Sequence, residues 1–179
     1  GGYGAVGSFS FLLLQQIGDQ GTFMGMSLLV GCLTEVWFFL HADEIIKKFG
    51  VLPIFNFCLL LMGVRMGGLS LLIHPYQVLI VESLAGPIFA LGWSAGVAYS
   101  RSLAPEGQGA TMIGVYTGLK FGFGAGAGSL VAGIMTSSFG LRAMFAIFGS
   151  LLIIIALGMR VGGLLSLVGW LLAPVRHNY

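Results

Sequence analysis

The stretch FMGMSLLVGCLTEVWFFLHA, residues 23–42, runs for twenty residues with Glu35 as its one acidic or basic side chain apart from His41. A helix needs about 20 predominantly apolar residues to cross the hydrocarbon layer of a bilayer. The stretch therefore reads as a transmembrane span, and the rest of the chain can be cut in the same way at its polar punctuation. Ala5–Ile17 is apolar but short and is closed by Gly18-Asp19-Gln20-Gly21 as a turn. After residues 23–42 come the charges Asp43, Glu44, Lys47 and Lys48 and then Gly50. Further spans are expected at about 51–72, 77–99, 110–135 and 141–159, with a tail over 160–179. The tail holds one more apolar run, 161–173, too short to cross alone.

Composition agrees with this cutting. The 179 residues are 57% apolar and only 8% charged, against about 25% charged in ordinary globular chains. Mean hydropathy is +0.99. So few charges cannot cover the surface of a soluble fold, so hydrocarbon is the main solvent. The expected class is an all-α membrane protein, a six-helix transmembrane bundle forming one unit over 1–179. A net charge of +2, scattered along the chain, excludes nucleic-acid binding. Cys32 and Cys58 both lie in apolar runs and read as buried thiols, with neither a disulfide framework nor a zinc site. No cofactor is implied. The chain starts at Gly1 rather than Met, so an upstream part of a longer chain is expected.

Basic residues in short loops set the orientation. Alternating sides collects Lys47, Lys48, Arg101, Arg160 and Arg176 on one face and leaves Arg142 on the other. The first face, with the C-terminus, is expected to be cytoplasmic.

Four ionisable residues fall inside spans: Glu35, Arg65, Glu82 and Lys120. Each costs at least about 2.5–3.5 kcal/mol at a lipid-facing helix centre, so each should face the bundle interior or a wet cavity. At 1.5 Å per residue, Arg65 and Glu82 lie roughly 21 and 25 Å from the cytoplasmic ends of consecutive antiparallel spans and can pair in the outer third. Glu35 and Lys120, roughly 10 and 15 Å deep, could meet near the middle. Static neutral pairs would hold the bundle together; an acid that cycles its proton or swaps partners would couple a transport step. Asp43, Glu44, Lys47 and Lys48 read either as a solvated loop or as a gating clamp. Glycine is the other signal: of 30, Gly114, Gly118, Gly122 and Gly126 recur every four residues, as in a tightly packed helix face, which could also let helices rock.

Two motif matches carry no chemistry. Gly92-Trp93-Ser94-Ala95-Gly96 fits a nucleophile elbow, but that elbow needs a strand-to-helix turn, and this one lies in an apolar helix. Gly122-x-Gly124-x-x-Ala127 fits a loose dinucleotide fingerprint, but no strand precedes it and no acidic residue follows Glu106. An enzyme is not expected.

The order of the landmarks resembles a known family. Thr34-Glu35-Val36-Trp37-Phe38-Phe39, Ile45-Ile46-Lys47-Lys48-Phe49-Gly50 and Arg65 are similar to the second half of a major facilitator superfamily transporter. More specifically, they look like the branch of major facilitator superfamily domain-containing protein 6, related to lactose-permease-type symporters. Val81-Glu82, Phe89-Ala90-Leu91-Gly92-Trp93, Ala104-Pro105-Glu106, Gly118 to Gly126 and Phe139 to Phe145 continue the resemblance. It implies that the spans are equivalent to helices seven to twelve of a major facilitator fold. It also implies membrane transport of a small solute by alternating access, with proton coupling as an option, and a partner in the missing N-terminal six-helix half. Asp43, Lys47, Lys48 and Gly50 would form the cytoplasmic gating loop. Arg65 matches the ninth-helix arginine of lactose-permease-like symporters, whereas Ala85 and Ile88 stand in place of their tenth-helix histidine and glutamate. Glu82 takes the place of a lysine, and Lys120 that of an aromatic residue or histidine. A non-transporting receptor-like or scaffolding protein that keeps the fold is the alternative.

Overall fold

The computed structural model describes the backbone of residues 2–18 and 21–172, and side chains between residues 6 and 160 apart from 8, 19 and 20. The turn expected at Asp19-Gln20 and the end of the tail, with Arg176, lie outside the described residues. The rest is helical, with no strand among the described residues. The elements are α1 (Gly2–Gln16), α2 (Thr22–Phe49), α3 (Val51–Ser70), a 3₁₀ turn (Pro75–Gln77), α4 (Val78–Glu82), α5 (Ala85–Ser102), α6 (Gly109–Thr117), a π-helical segment (Gly118–Gly124), α7 (Ala125–Phe139) and α8 (Leu141–Leu172). Five stretches among the described residues are long and apolar enough to cross a membrane: Thr22–Phe49, Val51–Ser70, Pro75–Ser102, Gly109–Phe139 and Leu141–Arg160. α1, with 15 residues, is shorter. The chain is an all-α, multi-pass integral membrane protein. Its outer surface agrees: Leu33 and Leu40 on α2 are 65% and 75% exposed, and hydrocarbon is the solvent that accepts them.

Several boundaries differ from the sequence expectation. The charged stretch from Asp43 is not a loop. It forms the last two turns of α2, which ends at Phe49. Asp43 and Glu44 precede Lys47 and Lys48 by four residues, the favourable order on a helix, and the two lysines face the negative end of the helix dipole. The whole connection to α3 is Gly50, at φ 81°, whose N–H donates to the Ile46 carbonyl. α7 ends in the same way: Gly140, at φ 84°, donates to Thr136 O, and α8 begins at the next residue. Only glycine adopts this left-handed backbone without strain. The apolar run after Arg160 is no separate segment either, because α8 continues through it to Leu172.

Two cores organise the bundle. Leu13, Leu14, Met66, Leu69, Val78, Met144 and Phe145 are fully buried where α1, α3, α4 and α8 meet. Ala42, Ile54, Cys58, Leu91 and Ala95 form a second core among α2, α3 and α5. α3 and α8 make the most extensive helix pair. A Cβ on Gly149 would stand 2.8 Å from Gly67 N and 2.9 Å from Gly63 O, so the two backbones are in direct contact. Close approach of this kind is a main source of packing energy where lipid removes the hydrophobic drive between helices. Asn56 Nδ2 adds a hydrogen bond to Ala156 O, 3.1 Å, across the same pair.

The glycine expectation is therefore corrected. Gly114, Gly118, Gly122 and Gly126 are exposed, and a Cβ on any of them would meet nothing within 4 Å. The α6–α7 rod packs through Tyr116, Gly128 and Ala132 instead, and this turns the glycine row outward. A thermal melt of the complete protein separates the two sets. Gly149→Leu should lower the melting temperature or abolish folding, because the opposing atoms are backbone. Gly126→Ala should leave it unchanged or raise it, alanine being favoured in a helix by roughly 0.5–1 kcal/mol.

Candidate functional site

Pro87 shapes the site. It has no N–H to give to the Ser83 carbonyl, and its ring presses on that carbonyl, so the helix breaks at Ser83-Leu84 between α4 and α5. Glu82 is the last residue before the break. Its carboxylate Oε2 accepts a 2.5 Å charged hydrogen bond from Arg65 Nη2 on α3. The side chains are 8% and 11% exposed. Arg65 Nε and Glu82 Oε1 are buried without a hydrogen-bond partner, so the pair is joined end-on and retains unused donor and acceptor capacity.

The pair lines a cavity of about 220 Å³ enclosed by α1, α2, α3 and the α4–α5 break. Ser10, Ser27, Cys32, Glu35 and Phe89 also line it. Cys32 is exposed on this cavity, contrary to the expectation of a buried thiol; Cys58 is buried in the second core, and both are free. Two glycines bring Glu35 to the cavity. A Cβ on Gly86 would collide with Thr34 Oγ1 and the Glu35 backbone N–H, and one on Gly31 would lie 3.9 Å from Glu82 O. α2 and α5 therefore touch backbone to backbone beside the three ionisable groups.

Glu35 thus joins Arg65 and Glu82, not Lys120. The reason is the true end of α2: Glu35 and Arg65 each lie fifteen residues from the Gly50 corner, so at 1.5 Å per residue they share one depth. Lys120 sits in the π-helical segment, where Gly118, Gly122 and Gly124 remove the side-chain crowding that a widened turn would meet. Its ammonium lies 5.2–5.6 Å from the ring centroids of Phe89, Trp93, Tyr116 and Phe121. A cation held this way gains from about 0.5 to 2 kcal/mol as water is excluded. Tyr116 is fixed in turn: its hydroxyl donates to Gly92 O at 3.1 Å, and its ring fills the notch at Gly96, where any Cβ would collide with it. The elbow-like Gly92-Trp93-Ser94-Ala95-Gly96 is thus a receptor for Tyr116 and Lys120. Phe89 belongs to both places, lining the ionic cavity and capping Lys120.

Sequence reasoning found the four charges. It missed the aromatic enclosure, although Phe89, Trp93, Tyr116 and Phe121 recur at near-helical spacing around Lys120. It also missed the break before Pro87. Among the described residues no group of three or more His, Cys, Asp or Glu side chains could hold a metal ion.

Known proteins resemble the chain over most of its length. The MFS_1 like family model matches residues 2–147. Major facilitator superfamily domain-containing protein 6-like protein A of Xenopus laevis is 28% identical over 146 residues, 79% of this chain and 24% of that protein. The corresponding 6-like protein of Danio rerio is 27% identical over 143 residues, 79% of this chain and 26% of that protein. Maltose permease of Geobacillus stearothermophilus is 25% identical over 141 residues, 79% of this chain and 36% of the permease. The chain spans about a quarter to a third of the length of these relatives. No solved structure matches it. A helical membrane bundle matched by this family over four-fifths of its length belongs to the major facilitator superfamily.

Proposed function

We propose that the chain forms the C-terminal six-helix half of a transporter that carries a small polar solute by alternating access, its N-terminal half being the partner. The observation that carries this reading is the Arg65–Glu82 ion pair on the wall of a cavity that also holds Glu35. Ionisable groups placed so deep in a lipid-immersed bundle are expensive, and transport or proton relay is what usually retains them. Proton coupling follows if Glu35 or Glu82 takes up a proton and the guanidinium changes carboxylate. Lys120 and its rings would form the opposite wall, with Phe89 between. Basic residues at one end of the helices support a cytoplasmic C-terminus; on this reading Asp43, Lys47, Lys48 and Gly50 would stand at the cytoplasmic end, as a rigid helix end and corner in place of a loop. The outward row Gly114, Gly118, Gly122 and Gly126 would give the other half a surface without side chains to rock across. The relative named maltose permease makes a sugar the first solute to assay.

In the complete protein, Arg65→Gln and Glu82→Gln should each lower solute uptake at least tenfold. Each should also destabilise by about 3–5 kcal/mol, because the remaining partner is left charged and unpaired in the interior. The double variant Arg65→Leu with Glu82→Leu should recover stability but not uptake. If it recovers uptake as well, the pair only holds the bundle together, and the receptor-like or scaffolding reading takes precedence. Uptake that does not change with pH in wild type and in Glu35→Gln would remove proton coupling while leaving transport.

Lys120→Met tests the second wall. Uptake should fall at least tenfold, while the melting temperature shifts only by what lost cation–π contacts cost, about 2 kcal/mol or less. A normal uptake would assign Lys120 to helix packing alone.

A further inference from the structure

α2 and α3 are joined by a single glycine, yet beyond that corner they make few direct contacts. α2 packs on α5, and α3 packs on both α8 and α5, so a wedge with α5 at its back opens between α2 and α3. That wedge holds a cavity of about 390 Å³, within the 300–1,000 Å³ range of small-ligand sites. Its walls are apolar, with Phe38, Ile45 and Phe49 from α2, Ile54 and Phe57 from α3, and Leu91 at the back.

One charged side chain lines the cavity: Arg160 on α8. It makes no ion pair with a described residue. A second cation stands at the edge, because Lys48 Nζ lies 5.4 Å from the ring centroid of Phe49, itself a lining residue. Asp43 and Glu44 lie one turn earlier on α2 and do not line the cavity.

The depth profile identifies the kind of occupant. Phe49 ends α2 beside Lys47 and Lys48, where the apolar span gives way to charge, so the mouth lies at the polar edge of the membrane. Phe38 lies eleven residues earlier, so the slot descends about 16 Å into the hydrocarbon layer. A molecule with an anionic head at the mouth and an apolar tail below satisfies both ends. A soluble anion would leave the aromatic slot empty, and a neutral lipid would leave the cations without a counter-charge.

We propose that the α2–α3 wedge binds an anionic phospholipid, its phosphate held by Arg160 and Lys48 and an acyl chain filling the slot beneath. The site is separate from the ionic cavity and does not depend on the transport reading.

The test is a native mass-spectrometric titration of the complete protein in mild detergent with phosphatidylglycerol and with phosphatidylcholine. Wild type should bind phosphatidylglycerol at least fivefold tighter, the factor expected of about one basic contact. Arg160→Gln and Lys48→Gln should each weaken phosphatidylglycerol about fivefold and phosphatidylcholine by less, because the phosphate of phosphatidylcholine is already balanced by its own choline ammonium. Phe57→Trp, which crowds the slot from an exposed position, should weaken both lipids. Arg101→Gln, outside the cavity, should change neither. Equal binding of the two lipids, or an Arg160→Gln variant that binds like wild type, would overturn the proposal. So would displacement of phosphatidylglycerol by excess inorganic phosphate, which marks a site for the phosphate group alone, or unchanged binding in Phe57→Trp.

Discussion

A guanidinium and a carboxylate within a lipid-immersed bundle must find each other, because neither hydrocarbon nor a neighbouring aliphatic side chain can solvate them. Arg65 and Glu82 meet at 2.5 Å, and much of the architecture follows from that contact. It ties α3 to the short α4, just ahead of the break that Pro87 imposes. The break lets α5 leave at a new angle and lie against α2 through Gly86, which carries Glu35 to the same cavity. The extensive α3–α8 pair, sealed by Gly63, Gly67 and Gly149, is the frame against which Arg65 is held. A buried ion pair adds little net stability by itself. Here it joins α3 to α4 at a single point on the cavity wall.

The two charged regions use different physics. Arg65 is neutralised by an opposite charge, whereas the Lys120 ammonium is surrounded by the negative faces of aromatic rings. The first arrangement leaves an unused donor and acceptor; the second uses a widened helical turn to bring its cation to α5. Turns of the π type recur where a helix serves a function as well as a frame. Phe89 stands between the two regions and touches both.

Much of this could be read from the sequence because hydrocarbon imposes simple rules. Length and polarity give the spans, and the cost of buried charge picks out Glu35, Arg65, Glu82 and Lys120. What could not be read depends on where helices end and how they turn. Depth arithmetic paired Glu35 with Lys120 because it stopped α2 at Ala42. Charges four apart extend a helix as readily as they end it, so α2 continues to Phe49 and Glu35 moves to the depth of Arg65. The glycines misled in a related way. A four-residue repeat marks a smooth stripe but not the side it faces; Gly114 to Gly126 face outward, while the less regular Gly63, Gly67 and Gly149 carry the contact. The aromatic enclosure needed two helices in place before its members could be recognised as neighbours.

The corners at Gly50 and Gly140 also constrain how the protein is made. Each joins two membrane-length helices with one residue, so neither helix of a pair can settle in the bilayer while the other waits outside. α2 and α3 must enter as one hairpin, and α7 and α8 as another. Arg65 and Glu35 lie on one such hairpin at the same depth, so the arginine enters the bilayer with a carboxylate at its own level.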